Sequence, residues 1–276
     1  MFRALGMLQV DADDGETIRI PARKQRTLLC ALVLHANEWT PVARLVETVW
    51  PRHQPPSARG NLKTYVHHLR RVLPRRRGGG ERLSSRPGDY QLRLDRGELD
   101  AWVFEDLLAE GRRALAAGQN ALAATLLEDA LRLWRGRPFC ELATATADAY
   151  VARLEEQRWS AREDVLAARL ALGQHRECVE GLRQLLTEQP LREHLWCQLL
   201  WALYLGGRRA DALAAYRTVR ELLISELGIE PGEELQRTHQ EILLSTPRAE
   251  WQGAAHSPIY RATAAIFTPT GAHPAN

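Results

Sequence analysis

At 276 residues, 45% hydrophobic and 26% charged, the chain has the proportions of a soluble globular protein long enough for two domains with separate cores. No apolar run approaches the roughly 20 residues of a membrane span, and the N-terminus lacks a signal-peptide layout, so a membrane protein is excluded and the cytoplasm is the expected location. The net charge of +3 is unevenly spread: through Gly97 there are 18 Lys and Arg against 9 Asp and Glu, and the remainder carries −6. A basic first third on an acidic remainder points to a nucleic-acid module joined to a part with another task.

Residues 2–20 alternate weakly through Phe2, Ala4, Leu8, Val10, Ile18 and Ile20 around a DADDG turn, which predicts short strands. Pro21 opens a predicted helix with TLLCALVLHAN as its body. Thr40 and Pro41 start a second, as N-cap and first helical residue, running to about Trp50. After the proline-punctuated loop PRHQPPS, Ser57 is a suitable N-cap for a third helix that Pro74 ends. Beyond Arg75-Arg76-Arg77 and three glycines, RLSSRPGDYQLRL reads as a β-hairpin turning at Gly88, with Leu83, Tyr90, Leu92 and Leu94 as its apolar positions. Strands, three helices and a terminal hairpin describe a winged helix-turn-helix. Its third helix enters the major groove, and its wing reaches the neighbouring backbone or minor groove.

The third helix carries the chemistry. At about 100° per residue, Leu62, Val66, Leu69 and Leu73 form a narrow apolar stripe with Tyr65 and Val72 on its flank. Thr64, His67, His68 and Arg71 point the opposite way, with Lys63 and Asn61 beside them. Hydroxyl, imidazole and guanidinium groups can donate to phosphates and base edges. The same face would suit an ordinary surface helix in water; the hairpin that follows favours DNA.

From about Leu99 to Leu244 the pattern is helical, with an internal repeat. GQNALAATLLEDAL begins at Gly118, GQHRECVEGLRQLL at Gly173 and GRRADALAAYRTVR at Gly207. Five residues after each glycine stand Ala123, Cys178 and Ala212; twelve after, Ala130, Leu185 and Val219. The last two copies are 34 residues apart, the tetratricopeptide period, and the first two 55 apart, which places an insertion near RGRPFCELATAT. A plain helical bundle is the alternative. Trp134, Trp159, Trp196 and Trp201 fall on helical faces, as core or as the lining of a ligand pocket. Cys30, Cys140, Cys178 and Cys197 lack metal-ligand spacing and read as small buried hydrophobes in a reducing compartment. No metal, cofactor or enzymatic motif is expected, and the stretch from Pro247 reads as a disordered tail, His256 and His273 included.

Both halves resemble the SARP family (Streptomyces antibiotic regulatory proteins) along about residues 1–246. In the first half the resemblance is carried by FRALGMLQV, RKQRTLLCALVLHANEWTPVARLVETVWP, ARGNLKTYVHHLRRVL and RPGDYQLRL. In the second it is carried by ELDAWVFEDLLAEGRRAL, ALRLWRGRPF and ADALAAYRTVRELLISELGIEPGEELQRTHQEIL. It implies a mainly α protein: an OmpR-type winged helix (α+β) at 1–97, an all-α, tetratricopeptide-like bacterial transcriptional activation domain at 98–246, and a tail at 247–276. It also implies an activator that binds direct repeats of double-stranded DNA near a promoter as a dimer or tandem oligomer. Such a protein recruits RNA polymerase through the enzyme or its sigma factor and controls a secondary-metabolite (antibiotic) gene cluster. Larger members continue into a nucleotide-binding domain; GxxxxGK[ST] is not found here.

On that reading Arg71 is the candidate for bidentate guanine recognition or a phosphate clamp, among Asn61, Lys63, Thr64, His67 and His68. The paired histidines depart from the family's pattern. Arg86, before the wing turn, reaches a minor groove or phosphate, or is an ordinary exposed strand residue. Arg23, Lys24 and Arg26 at the first helix either approach the backbone or are solvated. Arg75, Arg76 and Arg77 are non-specific phosphate attractors. By resemblance, Arg52, His53 and Gln54 lie where polymerase contacts occur. The alternatives are a ligand-responsive repressor and a helical-repeat scaffold with only non-specific nucleic-acid binding.

Overall fold

The computed structural model describes residues 1–12, 14–76 and 79–244; Arg77 and the expected tail at 247–276 lie outside them. The chain divides into two compact units, residues 1–108 with 129–159, and residues 109–128 with those from 160 on.

In the first unit, β1 (Phe2–Arg3) pairs antiparallel with β2 (Gln9–Val10). Then come α1 (Arg23–Leu34), β3 (Thr40–Pro41), α2 (Val42–Val49), α3 (Ala58–Val72), and the hairpin β4 (Leu83–Arg86) and β5 (Asp89–Leu92). The second sheet runs β3-β5-β4, all antiparallel, with Gly88 at φ +85° in the turn. Leu28 and Leu32 of α1, Leu45 of α2, Leu62 and Leu69 of α3, and Leu83 and Leu92 of the hairpin are each under 2% exposed. This is the expected winged helix: the period-3.6 stripe of α3 and the period-2 face of the hairpin bury the same core.

Four local expectations need correction. Thr40 and Pro41 do not open α2; they pair with Tyr90 and Asp89 as β3, and the Val42 amide donates to the Gly88 carbonyl at 2.8 Å. α2 therefore leaves directly from the sheet, with Pro41 in its N-cap position at ψ 136°. α1 starts at Arg23 rather than Pro21, because the Arg26 guanidinium donates to the carbonyls of Ile20 and Pro21 and holds the approach outside the helix. Ile18 and Ile20 form no strand. The chain there makes one bridge, Asp11 to Thr17, and the Ile18 amide donates to Val10 O. Ser57 stands at the N-cap of α3, yet its hydroxyl accepts from the Asn61 side-chain Nδ2 at 3.2 Å instead of capping the backbone.

The helices that follow are α4 (Asp100–Ala116), α5 (Asn120–Arg132), α6 (Ala145–Ala171), α7 (His175–Glu188), α8 (Glu193–Leu205), α9 (Arg209–Leu227) and α10 (Glu233–Leu244). The glycines that set the repeat register are alike in conformation: Gly118, Gly173 and Gly207 have φ +74°, +82° and +78°. At each, the glycine amide donates three residues back and the next amide five back, as in Gly207 to Tyr204 O and Arg208 to Leu203 O. This closes α4, α6 and α8 with a Schellman turn that a residue with a Cβ adopts only under strain. Ala123, Cys178 and Ala212 are all 0% exposed, as the repeat requires. Cys140 departs from expectation: it is exposed in the turn before α6, while Cys30, Cys178 and Cys197 are buried, and all four are free. Trp134 and Trp201 are buried, Trp134 edge-on to Phe104 at 5.2 Å.

The insertion after α5 has a structural task within the first unit. Arg135 and Phe139 donate their amides to Leu5 O and Ala4 O at 2.7 and 2.9 Å, and Glu141 accepts from the Leu8 amide. On the same segment the buried Asp100 carboxylate accepts from the amides of Ala4 (2.7 Å) and Leu5 (3.1 Å). Gly6 lies between them at φ +149°; a Cβ there would stand 3.1 Å from the Arg135 Cβ. Residues 4–8 are thus hydrogen-bonded into α4 and the insertion.

In the second unit, two buried carboxylates meet half-buried arginines, Arg112 with Asp164 at 2.8 Å and Arg192 with Glu163 at 3.2 Å, and the half-buried His194 pairs with the half-buried Glu234 at 3.5 Å. Burial alone would lower the His194 pKa, but the bond to Glu234 and the charges of Glu163, Glu234 and Asp164 outweigh it and hold it above 6.5. A raised folded-state pKa stabilises fully below the unfolded value and is lost as pH rises through the folded one. Denaturant midpoints should therefore fall as pH rises above about 6.5, and His194→Gln should flatten that part of the profile. An equal slope in the variant would remove His194 as its source. No helix among the described residues is long and apolar enough to cross a membrane.

Candidate nucleic-acid interface

α3 presents the expected outer face except at His68, expected to point outward and instead half-buried with Nδ1 turned in. Lys63, Thr64, His67 and Arg71 are exposed, opposite Leu62, Val66 and Leu69 at 0%, 2% and 0% exposure. Among the described residues Lys63, His67 and Arg71 make no hydrogen bond or ion pair, so their donors remain open to a ligand. The Thr64 hydroxyl donates to its own helix at Gly60 O, 3.3 Å away, and keeps lone pairs outward. Asn61 and His68 are half-buried at the edge; His68 Nδ1 has no hydrogen-bond partner among the described residues. Gly60 lies on the same face as Thr64 and Arg71, and a Cβ there would meet nothing within 4 Å, which leaves room for close backbone approach.

Neighbouring elements fix the angle of this helix. Trp50, at the end of α2, stacks on Tyr65 at 6.0 Å, and the Lys24 ammonium sits 4.9 Å above the Trp50 ring. Lys24 is therefore held beside α3, whereas Arg23 is exposed one residue earlier. Arg70, which sequence reasoning passed over, reaches the wing: its Nε donates to Leu83 O at 2.8 Å and its terminal nitrogen to the Ser85 hydroxyl at 3.0 Å. It sits about 100° round the helix from Arg71, enough to change a free cation into an anchor.

At the wing, Arg86 is neither loose nor buried. Its Nε donates to Asp89 at 2.6 Å, its guanidinium stacks 4.5 Å over Trp39, and half of its side chain remains in water. That fixes its direction while leaving donors for a phosphate. The base of the wing is closed by Arg82, also unforeseen and only 7% exposed. It donates to the carbonyls of Pro74, Arg75 and Arg93 and, bidentately at 2.8 Å, to both oxygens of Glu98. Arg76 pairs with Asp95 at 2.7 Å, so it is a strut rather than a free attractor. Asn37, at φ +70° after α1, exchanges two hydrogen bonds with the backbone of Leu94 and so ties α1 to the strand end. Arg52, His53 and Gln54 are exposed between α2 and α3. No cluster of three metal-ligating side chains occurs among the described residues.

With a free cationic face on α3 and an anchored wing arginine beside it, the likeness to known proteins becomes specific. A family model described as the bacterial transcriptional activator domain matches residues 99–243, and one described as the C-terminal domain of transcriptional regulatory proteins matches 15–88. The regulatory protein DnrI of Streptomyces peucetius is 34% identical over 247 residues, covering 87% of this chain and 91% of that protein. The chain belongs to the SARP family of transcriptional activators. The regulatory protein AfsR of Streptomyces griseus is 38% identical over 229 residues, 83% of this chain; the chain spans only 23% of AfsR. Among solved structures, Mycobacterium tuberculosis EmbR in complex with a low-affinity phosphopeptide matches with a TM-score of 0.81 at 32% identity, covering 96% of this chain and 69% of that one. This SARP-family protein is a transcriptional regulator with a winged helix and a helical activation domain.

Proposed function

We propose that this SARP-family regulator is a sequence-specific activator that reads DNA with the outer face of α3 and activates a secondary-metabolite gene cluster from direct repeats near its promoter. The observation that carries the reading is the set of exposed donors on α3 that are unpaired among the described residues, Lys63, His67 and Arg71, on a helix locked to the wing through Arg70. Arg71 reads a guanine or clamps a phosphate, Thr64 and His67 contact base edges, and Arg86 and Lys24 grip the flanking backbone. Copies bound in tandem place the exposed Arg52, His53 and Gln54 loop towards RNA polymerase. The domains act as residues 1–97 for DNA and 98–246 for activation, in the cytoplasm.

Run-off transcription with purified polymerase tests activation. Adding the full chain to a template carrying its operator upstream should raise transcript yield, and Arg52→Ala with Gln54→Ala should reduce that rise without loss of DNA binding. A fall in transcript on adding the protein would make it a repressor.

A further inference from the structure

We propose that a cavity of about 210 Å³, walled by the end of α1, by β3 and α2, and by the start of α6, binds a small oxyanion, a carboxylate or phosphate-bearing metabolite, and relays its occupancy to the wing. Such a volume lies below the range of about 300–1,000 Å³ typical of drug-sized ligands, so the occupant is small.

Three observations converge on an anion. Thr40 stands in the cavity wall at 2% exposure, and its hydroxyl has no hydrogen-bond partner among the described residues. A buried hydroxyl without a partner is costly, and a ligand oxygen in the cavity would satisfy it. Opposite, the N-terminus of the 27-residue α6 reaches the cavity through Thr144 and Thr146. The Thr144 hydroxyl accepts from the Ala147 amide at 3.2 Å, and the remaining first-turn amides give the positive end of the helix an anion-binding character. Arg44 of α2 lines the same space and makes no ion pair among the described residues. Glu47, one turn further along α2, opposes it and sets a sign test for the occupant. The floor is aliphatic, through Leu45 and Leu142.

The position gives such a ligand leverage. Thr40 is paired with Tyr90 of the wing strand β5, and Val42 donates to Gly88 in the wing turn. An anion drawing Thr40, Arg44 and the start of α6 together would therefore act on the hairpin that flanks α3. The relay to DNA rests on the DNA-binding reading above; the binding of the anion does not.

The test titrates the full chain calorimetrically with inorganic phosphate and, separately, with acetate, at constant ionic strength. Saturable one-site binding of either anion is expected, and the one that binds identifies the source. The affinity should be about tenfold weaker in Arg44→Gln and in the near-isosteric Thr40→Val, and tighter in Glu47→Gln. No saturation by either anion up to about 10 mM would overturn the site. So would binding indifferent to Arg44→Gln and Thr40→Val, or binding weakened by Glu47→Gln. Operator affinity measured with and without the bound anion then tests the relay: a change supports it, and no change refutes it while the site stands. Absence of any DNA binding in that assay would instead refute the reading under which α3 contacts DNA.

Discussion

Replacing Arg82 with Met should lower unfolding stability by about 3–5 kcal/mol, the cost of breaking a buried ion pair and leaving its partners unsatisfied. Without the guanidinium, three carbonyls and both oxygens of Glu98 lose its hydrogen bonds at the base of the wing, and Glu98 Oε2 keeps only the Asp95 amide. Arg82→Lys keeps the charge but not the planar fork and should recover only part of the loss. Burial pushes the Glu98 pKa up, but the Arg82 bonds and the Asp95 amide outweigh it and hold the carboxyl below 4.5. A lowered folded-state pKa contributes stability that is present above the unfolded value and lost as pH falls through the folded one. Wild type should therefore lose part of its margin over the variant on acidification below about pH 4.5. Urea unfolding of both proteins at neutral and acid pH measures this; a deficit under about 1 kcal/mol at neutral pH would mean that the wing base is held by packing alone.

Arg71→Ala should act on DNA and not on folding. Its side chain is exposed and unpaired among the described residues, so stability should stay within about 0.5 kcal/mol of wild type. Operator affinity should fall by about 1–3 kcal/mol with relaxed preference at one base pair if Arg71 reads an edge. If it only neutralises a phosphate, binding weakens uniformly and the salt slope falls by about 1. Binding titrations at several salt concentrations separate the two cases, and unchanged affinity would take Arg71 out of the interface. Arg70→Ala is the informative contrast, because that arginine should act through the wing strand it holds.

Much of this architecture was legible because periodicity carries it. The α3 stripe, the Gly88 hairpin and the glycines at 118, 173 and 207 each satisfy a local rule, and each occupies the expected place. What the sequence hid are contacts without a period. Asp100 binds the amides of Ala4 and Leu5 across some 95 residues, and the insertion at 135–141 binds the same segment from the other side. Nothing near Asp100 marks it as anything but a first-turn acidic residue of α4. Arg70, Arg71 and Arg82 are indistinguishable by type; only their direction separates an anchor, a free donor and a buried strut. Thr40–Pro41 failed as a helix start because pairing with β5 outweighed a good capping signature. One consequence is practical: removing everything after Gly97 deletes Asp100, Arg135 and Phe139, the partners of Ala4 and Leu5, so loss of DNA binding by residues 1–97 alone would not implicate the helical domain in DNA contact.

The decisive measurement is selection of bound sequences from random duplex DNA with the purified full chain, at two salt concentrations. Enrichment of a short motif repeated directly about one helical turn apart, retained at the higher salt, is the predicted result. Salt-sensitive retention without any motif would contradict sequence reading by α3 and leave only the phosphate attraction of a basic surface.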